Sequence, residues 1–306
     1  MRRSLFKLLG VTVLAVSLFG GWQLVRYQNF AETPLKIDVE GTIIEVAPGT
    51  PLVSIAGRLE EREVISDDRL LVWMARFKGG AGDIKAGEYH IQPGTTPPEL
   101  LQQMVTGRVK QHSLTLVEGW NFTQVMEAVN GSPHLLHTLE ELDQEAIMER
   151  LDLTGEHPEG RFFPDTYSFP RGTKDVDFLR RAHRVMEAYL KTAWEERDKD
   201  VPLDTPYEAL ILASIVEKES AVPEERPRIA GVFVRRLEKG MRLQTDPTII
   251  YGLGEQFDGN IRRSHLRASD NPYNTYRHSG LPPTPIAMPG RGAIDAALHP
   301  ADGKSL

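Results

Sequence analysis

The sequence contains no cysteine among its 306 residues. This absence excludes disulfides, thiolate zinc sites, catalysis by a thiol and lipidation on cysteine. The sequence also lacks a basic run or stripe, and its formal net charge is -7, so it has no electrostatic footprint for nucleic acid. The nine histidines are scattered, without a paired spacing such as His-Glu-x-x-His. We therefore expect no metal, no cofactor and no nucleic-acid partner.

An apolar run from Leu8 to Leu24 follows a short tail, residues 1–7, that carries three basic side chains. A helix of this length nearly crosses a bilayer core, and the positive charge before it predicts a cytoplasmic N-terminus. The alternative is a cleaved signal peptide, but no small-x-small cleavage site follows the run. We predict a single-pass anchor, residues 8–25, in the cell inner membrane, with the catalytic part of the chain in the periplasm.

A strand, a Pro-Gly turn and a short helix recur after the apolar run. The copies are residues 42–59, residues 88–105 and, in a looser form, residues 114–129. Thr50 and Thr96 are predicted to cap the first two helices, each with a proline in the first turn. Such units resemble the LysM-like modules of cell-wall proteins, although strand-turn-helix units are common elsewhere. We predict a small LysM-like α/β module at residues 26–132.

A catalytic carboxyl group is predicted at the end of a helix that includes Ile211 to Val216. At about 100° per residue, Glu219 falls near the centre of the apolar face of this helix, and Glu217 falls nearly opposite. A carboxyl group held against aliphatic side chains ionises with difficulty, so the pattern predicts Glu219 as a general acid and Glu217 as a solvated charge. Alternatively, Glu219 is an exposed end residue or pairs with Lys218 or Arg226.

Polar, turn-rich segments at residues 242–248 and 271–276 follow that helix. Loops rich in Gln, Asn, Asp, Thr and Tyr on a helical scaffold suit a ligand rich in hydroxyl groups. Alternatively, Asp246 and Asn274 only cap helices and turns. The aromatic segment 158–167 suits sugar rings, whose C-H groups pack on π surfaces, or else forms a buried cluster that seals a turn.

Several of these segments together resemble the endolytic murein transglycosylases, the MltG or YceG-like family. The segments are residues 213–220, residues 242–252, Tyr273-Asn274-Thr275-Tyr276, Gly280-Leu281-Pro282-Pro283 and Glu159-Gly160 with Phe163-Pro164-Asp165-Thr166. The resemblance covers nearly the whole chain. It implies cleavage of the β-1,4 bond between N-acetylmuramic acid and N-acetylglucosamine within glycan strands, leaving 1,6-anhydro ends. It also implies a role in terminating nascent strands beside peptidoglycan synthases.

The resemblance implies that Glu219, the second Glu of the Glu-Lys-Glu triplet, is the catalytic residue. One carboxyl group suffices, because the C6 hydroxyl of the substrate replaces the water or second carboxylate that hydrolases need. Asp246 is expected to stabilise an oxocarbenium-like state electrostatically. The remaining predicted substrate contacts are Gln244, Thr245, Tyr273, Asn274, Tyr276 and Ser220.

We thus predict an α+β protein with an N-terminal transmembrane helix, the LysM-like module and a catalytic domain at residues 133–306. This domain is expected to be mainly helical and lytic-transglycosylase-like, with a small β component. Members of the family continue past the pair that is His299-Pro300 here, so we expect the C-terminal end, at Leu306, to be truncated. Two other functions stay open: a non-catalytic peptidoglycan-binding scaffold that recruits cell-wall synthases, and a two-carboxylate hydrolase that leaves reducing ends.

Overall fold

The computed structural model describes residues 2–306, and the surroundings of side chains from residue 7 onward. The predicted tail, residues 1–7, therefore lies almost wholly outside the side chains described. The chain forms two compact units, which divide between Gln111 and His112. Each unit has its own hydrophobic core.

The predicted apolar segment is part of one long helix, α1 (Arg2–Glu32). Within Lys7–Glu32, the most apolar window of 18 residues has a mean hydropathy of 1.8 and is not buried inside the protein. Leu8, Val16 and Leu24 are each more than half exposed. By length and composition α1 is a candidate membrane span or signal sequence.

The first unit contains two strands that pair with each other and three helices that cover them. The elements are β1 (Thr42–Val46), α2 (Leu52–Glu61), α3 (Asp68–Phe77), β2 (Gly87–Ile91) and α4 (Pro97–Thr106). The strands are antiparallel, with Thr42 opposite Ile91. Both predicted strand-helix copies are present, and α3, which the sequence pattern did not predict, lies between them.

The two predicted threonine caps have different outcomes. At α4, the carboxylate of Glu99 accepts hydrogen bonds from the backbone N–H and the hydroxyl of Thr96, both at 2.8 Å. The prediction for Thr50 is wrong, because α2 begins at Leu52 and Pro51 occupies the capping position. A proline follows each of these threonines and favours an extended conformation in the residue before it. The sequence pattern alone therefore did not distinguish a helix capped by the threonine from one capped by the proline.

The second unit is mainly helical with small sheets. Its elements are β3 (Gln111–Thr115), α5 (Phe122–Asn130), β4 (Leu135–Leu136), α6 (Gln144–Arg150), β5 (Thr166–Pro170), β6 (Thr173–Lys174), α7 (Asp175–Glu196), α8 (Pro206–Glu219), α9 (Arg226–Glu238), α10 (Asp246–Leu253), α11 (Arg263–Arg267) and α12 (Arg291–Leu298). β3 pairs with β5, and β4 runs parallel to β6. An α+β composition is therefore present, as predicted.

The region predicted as the third copy belongs to the second unit. Phe122 and Val125, on α5, pack in a core with Phe162 and Phe178, and the rings of Phe122 and Phe162 stack at 5.5 Å. The division of the chain therefore falls 21 residues before the predicted boundary at residue 132. Phe162 and Phe163 are 0% and 2% exposed, so the segment 158–167 forms a buried cluster and not an open platform for sugars.

Helix α8 lies at the centre of the second unit. It begins with Thr205, whose hydroxyl oxygen accepts from the backbone N–H of Glu208 at 3.2 Å, and with Pro206 in the first turn. Every residue from Ala209 to Glu217 is buried, in a core shared with α7, α9 and α12. A helix buried on all sides has no single inward face. The packing around α8 therefore determines the directions in which the side chains of Glu217 and Glu219 point.

Candidate functional site

Glu219 is the last residue of α8, and its side chain emerges at the surface. The hydroxyl of Thr245 donates a hydrogen bond to its Oε2 at 2.7 Å. The predicted enclosure of Glu219 by aliphatic side chains is therefore wrong, whereas its predicted proximity to the Thr245-Asp246 loop is present. The helical-wheel argument failed because α8 is surrounded, so the aliphatic residues did not mark a buried side.

Glu217, predicted to be solvated, is the buried carboxylate of α8, with 9% of its surface exposed. Its Oε1 accepts from the guanidinium of Arg226 at 2.6 Å, and its Oε2 accepts from the backbone N–H of Gly290 at 2.9 Å. Burial raises the pKa of Glu217, and the Gly290 N–H and the Arg226 charge offset part of that rise. Glu217 thus ties α8 to α9 and to the start of α12.

The loop that carries Thr245 is fixed by hydrogen bonds to the carbonyl and the hydroxyl of Thr275. The Gln244 N–H donates to the Thr275 carbonyl at 3.2 Å, and the Thr245 N–H donates to the Thr275 hydroxyl oxygen at 3.1 Å. Thr248 adds a hydrogen bond from its hydroxyl to the Thr245 carbonyl at 2.8 Å. Gln244 itself has φ of 56°, a left-handed conformation that costs free energy in a residue with a Cβ. These contacts hold the strained turn and aim the Thr245 hydroxyl at Glu219.

Asp246 and Tyr276 form a second polar pair beside Glu219. Asp246 is the first residue of α10, and its Oδ1 accepts from the Tyr276 hydroxyl at 2.8 Å. Burial raises the pKa of Tyr276 to about 12, with further contributions from the Asp246 carboxylate and from the charge of Glu219. The site therefore joins the Asp246 carboxylate to the Tyr276 hydroxyl near the charge of Glu219, with the exposed Gln244 in the adjoining turn.

Asn274 is fully buried, so its side chain contacts the protein in the structure, and its contact with substrate stays a prediction. Its Nδ2 donates to the carbonyls of Ala268 at 2.6 Å and His265 at 3.0 Å, and its Oδ1 accepts from the Tyr276 N–H at 3.0 Å. Since its amide is engaged on both sides, Asn274 positions the Tyr276 loop. The turn role left open by the sequence is the one observed.

Tyr273 and Ser220 also make contacts within the fold. The Tyr273 hydroxyl shares a hydrogen bond with the Thr284 hydroxyl at 2.8 Å, and its ring packs edge-on against Tyr251 at 4.9 Å between centroids. Ser220 donates to the Glu225 carboxylate at 2.9 Å, just after α8 ends. The structure therefore brings Glu219, Thr245, Asp246 and Tyr276 together and places Ser220, Tyr273 and Asn274 around them as supports.

Sequence reasoning assigned no role to Glu159, which is only 3% exposed. The Tyr251 hydroxyl donates to its Oε2 at 3.0 Å. Burial raises its pKa to about 7, against the backbone N–H of Phe122, the Tyr251 hydroxyl and the charge of Lys218, which all lower it. Among the residues that the structure describes, none makes a hydrogen bond to its Oε1. The signal in the sequence was a glutamate within an apolar, turn-rich segment.

In the part of the chain that the structure describes, no three His, Asp or Glu side chains are placed to hold a metal ion. The exposed carboxylate, its hydroxyl donor and the Asp246-Tyr276 pair instead provide groups that can exchange a proton and stabilise positive charge.

Comparison with known proteins identifies a matching family profile, relatives of known name and a similar solved structure. A sequence profile described as the YceG-like family matches residues 44–306. The endolytic murein transglycosylase of Bacillus subtilis (strain 168) is 30% identical over 286 residues, which cover 87% of this chain and 78% of that protein. The protein of the same name from Streptococcus pneumoniae serotype 2 (strain D39) is 26% identical, and the match covers 96% of this chain but 58% of the pneumococcal protein. The crystal structure of a YceG-like protein from Listeria monocytogenes matches with a TM-score of 0.54 and 27% identity, covering 87% of this chain and 92% of that one.

The opposite surroundings of Glu217 and Glu219 predict different effects on stability. We expect Glu217→Gln to lower the free energy of unfolding by roughly 2–3 kcal/mol, because it removes the carboxylate at 2.6 Å from the buried Arg226 and leaves Glu118, at 3.6 Å, as its charge partner among the described residues. Glu219→Gln, at an exposed position, should change it by no more than about 0.5 kcal/mol. Urea unfolding of the purified chain, followed by near-UV circular dichroism, measures both. Equal losses in the two variants would contradict this assignment.

The buried carboxyl of Glu159 predicts a pH-dependent stability. Its pKa is about 7 in the folded chain and near 4.5 when unfolded, so the folded state holds more protons between these values. The contribution of Glu159 to the free energy of unfolding is then fully present below about pH 4.5. As the pH rises through about 7 this contribution is lost, which lowers the free energy of unfolding by up to roughly 3 kcal/mol. Glu159→Gln, which stays neutral, should remove this part of the slope.

Unfolding midpoints in urea at pH 5, 6, 7 and 8 measure this slope. The matched control is Glu224→Gln, which changes an exposed glutamate of the same unit. A slope that survives unchanged in Glu159→Gln would show that other groups cause it.

Proposed function

Because the chain belongs to the YceG-like family, we propose that it is a peptidoglycan lytic transglycosylase that cleaves the MurNAc-β-1,4-GlcNAc bond within glycan strands and leaves 1,6-anhydroMurNAc ends. The observation that carries this proposal is the exposed carboxyl group of Glu219, bonded to Thr245 and flanked by Asp246 and Tyr276. The names of the bacillar and pneumococcal relatives support the same class of reaction.

In the proposed reaction Glu219 acts first as an acid and then as a base. It gives its proton to the glycosidic oxygen as the bond to C1 of the muramic acid breaks. The resulting carboxylate then takes the proton of the C6 hydroxyl as that oxygen attacks C1, which closes the anhydro ring and restores the acid. No water is consumed, so one carboxyl group serves both steps.

Thr245 holds Oε2 of Glu219, so Oε1 is the oxygen proposed to meet the substrate. The carboxyl is open to solvent in the structure, and the bound glycan is therefore proposed to supply the cover that excludes water before proton transfer. Asp246 lies next along the chain, and its carboxylate would stabilise positive charge that develops at C1. Gln244 and Tyr276 are the proposed contacts to sugar hydroxyl and acetamido groups.

The setting of the enzyme is part of the proposal. We place α1 in the cell inner membrane with the N-terminus in the cytoplasm, and the rest of the first unit and the whole second unit in the periplasm. The first unit, with its two strand-helix pairs, is proposed to be the LysM-like module. Termination of nascent strands beside peptidoglycan synthases is the proposed role, and a non-catalytic scaffold that recruits synthases is the alternative function.

Replacement of Glu219 tests the reaction directly. Glu219→Gln removes the only group proposed to transfer protons, so the rate of formation of anhydro ends should fall by roughly 10²–10⁴-fold. The measurement is mass spectrometry of the products from purified peptidoglycan strands. The matched control is Glu224→Gln, an exposed glutamate on the turn after α8, which should keep full activity.

Three other outcomes would contradict the proposal. Reducing ends in place of anhydro ends would indicate a hydrolase. Strand binding without cleavage by the unchanged chain would indicate the scaffold. Undiminished anhydro products from Glu219→Gln would assign the chemistry to another residue.

The electrostatic role proposed for Asp246 has its own test. Asp246→Asn keeps an oxygen that can accept the Tyr276 hydrogen bond but loses the negative charge. We expect kcat to fall roughly tenfold with little change in KM, because the charge acts on the transition state. Tyr276→Phe keeps the Asp246 charge but loses both this hydrogen bond and the proposed contact to substrate, so it should raise KM. Full activity in a folded Asp246→Asn protein would exclude the electrostatic role.

A further inference from the structure

Helix α3 in the first unit buries one side and exposes an aromatic and basic side. Leu71, Met74 and Ala75 are buried against the core. The exposed residues of the other side are Arg69, Trp73, Arg76 and Phe77. Their spacing of four, three and one residues places them on a single face of the helix. We call this set the outer face of α3.

The aromatic part of the outer face is unusually exposed for its size. Trp73 and Phe77 are 51% and 78% exposed, and their rings stack at 5.5 Å between centroids. Single exposed aromatic residues are normal on protein surfaces, whereas contiguous apolar patches mark sites of interaction with proteins, ligands or membranes, and this stacked pair forms the centre of such a patch.

The outer face lies against the end of the apolar part of α1. The ring of Trp73 meets the ring of Tyr27 edge-on, at 5.1 Å between centroids. Arg26 forms an ion pair with Asp67, the residue that caps the start of α3. A groove of about 810 Å³ runs between the two helices, lined on one side by Gly20, Leu24 and Tyr27 and on the other by Arg69, Trp73 and Arg76.

Helix geometry gives the depth of this contact. If residues 8–25 cross the hydrocarbon core, Tyr27 lies about 3 Å beyond its edge, since a helix rises about 1.5 Å per residue. The headgroup layer is roughly 5–8 Å thick on each side. Trp73, in contact with Tyr27, therefore falls within that layer, where tryptophan and tyrosine rings are enriched.

The charges around the outer face favour anionic headgroups. Arg69, Arg76 and Lys78 are exposed, and the charge of Arg26 is balanced by Asp67. Asp68 is the other acidic residue that lines the groove. The face thus carries net positive charge in a chain whose formal net charge is -7, and basic residues beside an anionic leaflet are attracted to it.

We propose that the outer face of α3 lies on the surface of the membrane that α1 crosses, with Trp73 and Phe77 among the headgroups and Arg69 and Arg76 bound to anionic lipid. The inference rests on the proposed anchoring by α1. The first unit would then contact the membrane in two ways, through α1, which crosses it, and through the outer face of α3, which lies on its surface.

The test is site-directed spin labelling of the full chain in lipid vesicles. Because the sequence has no cysteine, single cysteines can be labelled cleanly at three positions: Leu14→Cys within α1, Phe77→Cys on the outer face, and Val39→Cys, which is 94% exposed. Accessibility to oxygen, which concentrates in lipid, is compared with accessibility to a water-soluble nickel chelate. Vesicles contain either phosphatidylglycerol with phosphatidylethanolamine or phosphatidylcholine alone.

The proposal expects lipid-like accessibility at position 14, headgroup-like accessibility at position 77 in anionic vesicles, and water-like accessibility at position 39. Adding Arg69→Gln and Arg76→Gln to the Phe77→Cys chain should increase nickel accessibility at position 77 several-fold. The matched control is Arg58→Gln, an exposed arginine on α2, which should leave it unchanged.

The outcomes separate this inference from the anchoring. A lipid-like label at position 14 with a water-like label at position 77 overturns the contact of α3 and leaves the anchor in place. A water-like label at position 14 overturns the anchor and, with it, this inference. If soluble glycan fragments, and not lipid, protect position 77 from the nickel chelate, the outer face binds sugar and the proposal is wrong.

Discussion

The structure of the site depends on the burial of α8 on all sides. A helix in such a position has no solvent face on which a charge can be left, so the carboxylate of Glu217 needs partners within the fold. Arg226 and the Gly290 N–H supply them, and these contacts join α8 to α9 and α12. Breaking a buried pair of this kind leaves an uncompensated charge, which explains why the pair fixes the end of α8. Glu219 then emerges two residues later, where α8 ends.

The loops complete the geometry by hydrogen bonding, in addition to the apolar packing of Leu243 and Tyr273 against the core. Thr275 holds the backbone of Gln244 and Thr245, and Asn274 uses its whole amide to hold the neighbouring Tyr276 loop. The left-handed φ of Gln244 persists because these contacts determine its conformation. These contacts hold the Thr245 hydroxyl in place to donate to Glu219 and the Tyr276 hydroxyl in place to donate to Asp246. A catalytic site requires its groups to be held in such a defined geometry.

Local patterns predicted the elements of this chain better than the orientation of its side chains. The two strand-helix pairs, the capped start at Thr96 and the helix ending at Glu219 follow from turn residues and periodicity, which act within a few residues. The burial of Glu217 could not be predicted this way, because it depends on Arg226 and Gly290, which other helices supply. The inclusion of residues 114–129 in the second unit likewise depends on distant partners such as Phe162. The motif resemblance selected Glu219 on information that periodicity did not contain.

The buried carboxyl of Glu159 connects the core of the second unit to the site through one helix. Its partner Tyr251 lies on α10, the helix whose first residue is Asp246. When Glu159 is neutral, it can accept the Tyr251 hydrogen bond without a buried charge. When it ionises, near pH 7, that charge has to be accommodated in surroundings that favour the neutral form. The Tyr251 hydroxyl donates more strongly to the carboxylate than to the neutral acid, so this contact lowers the pKa and offsets part of the cost of burying the charge. The buried carboxyl of Glu159 and the surface carboxylate of Asp246 are thus joined by one helix, which carries Tyr251 in the core and begins at Asp246 in the site.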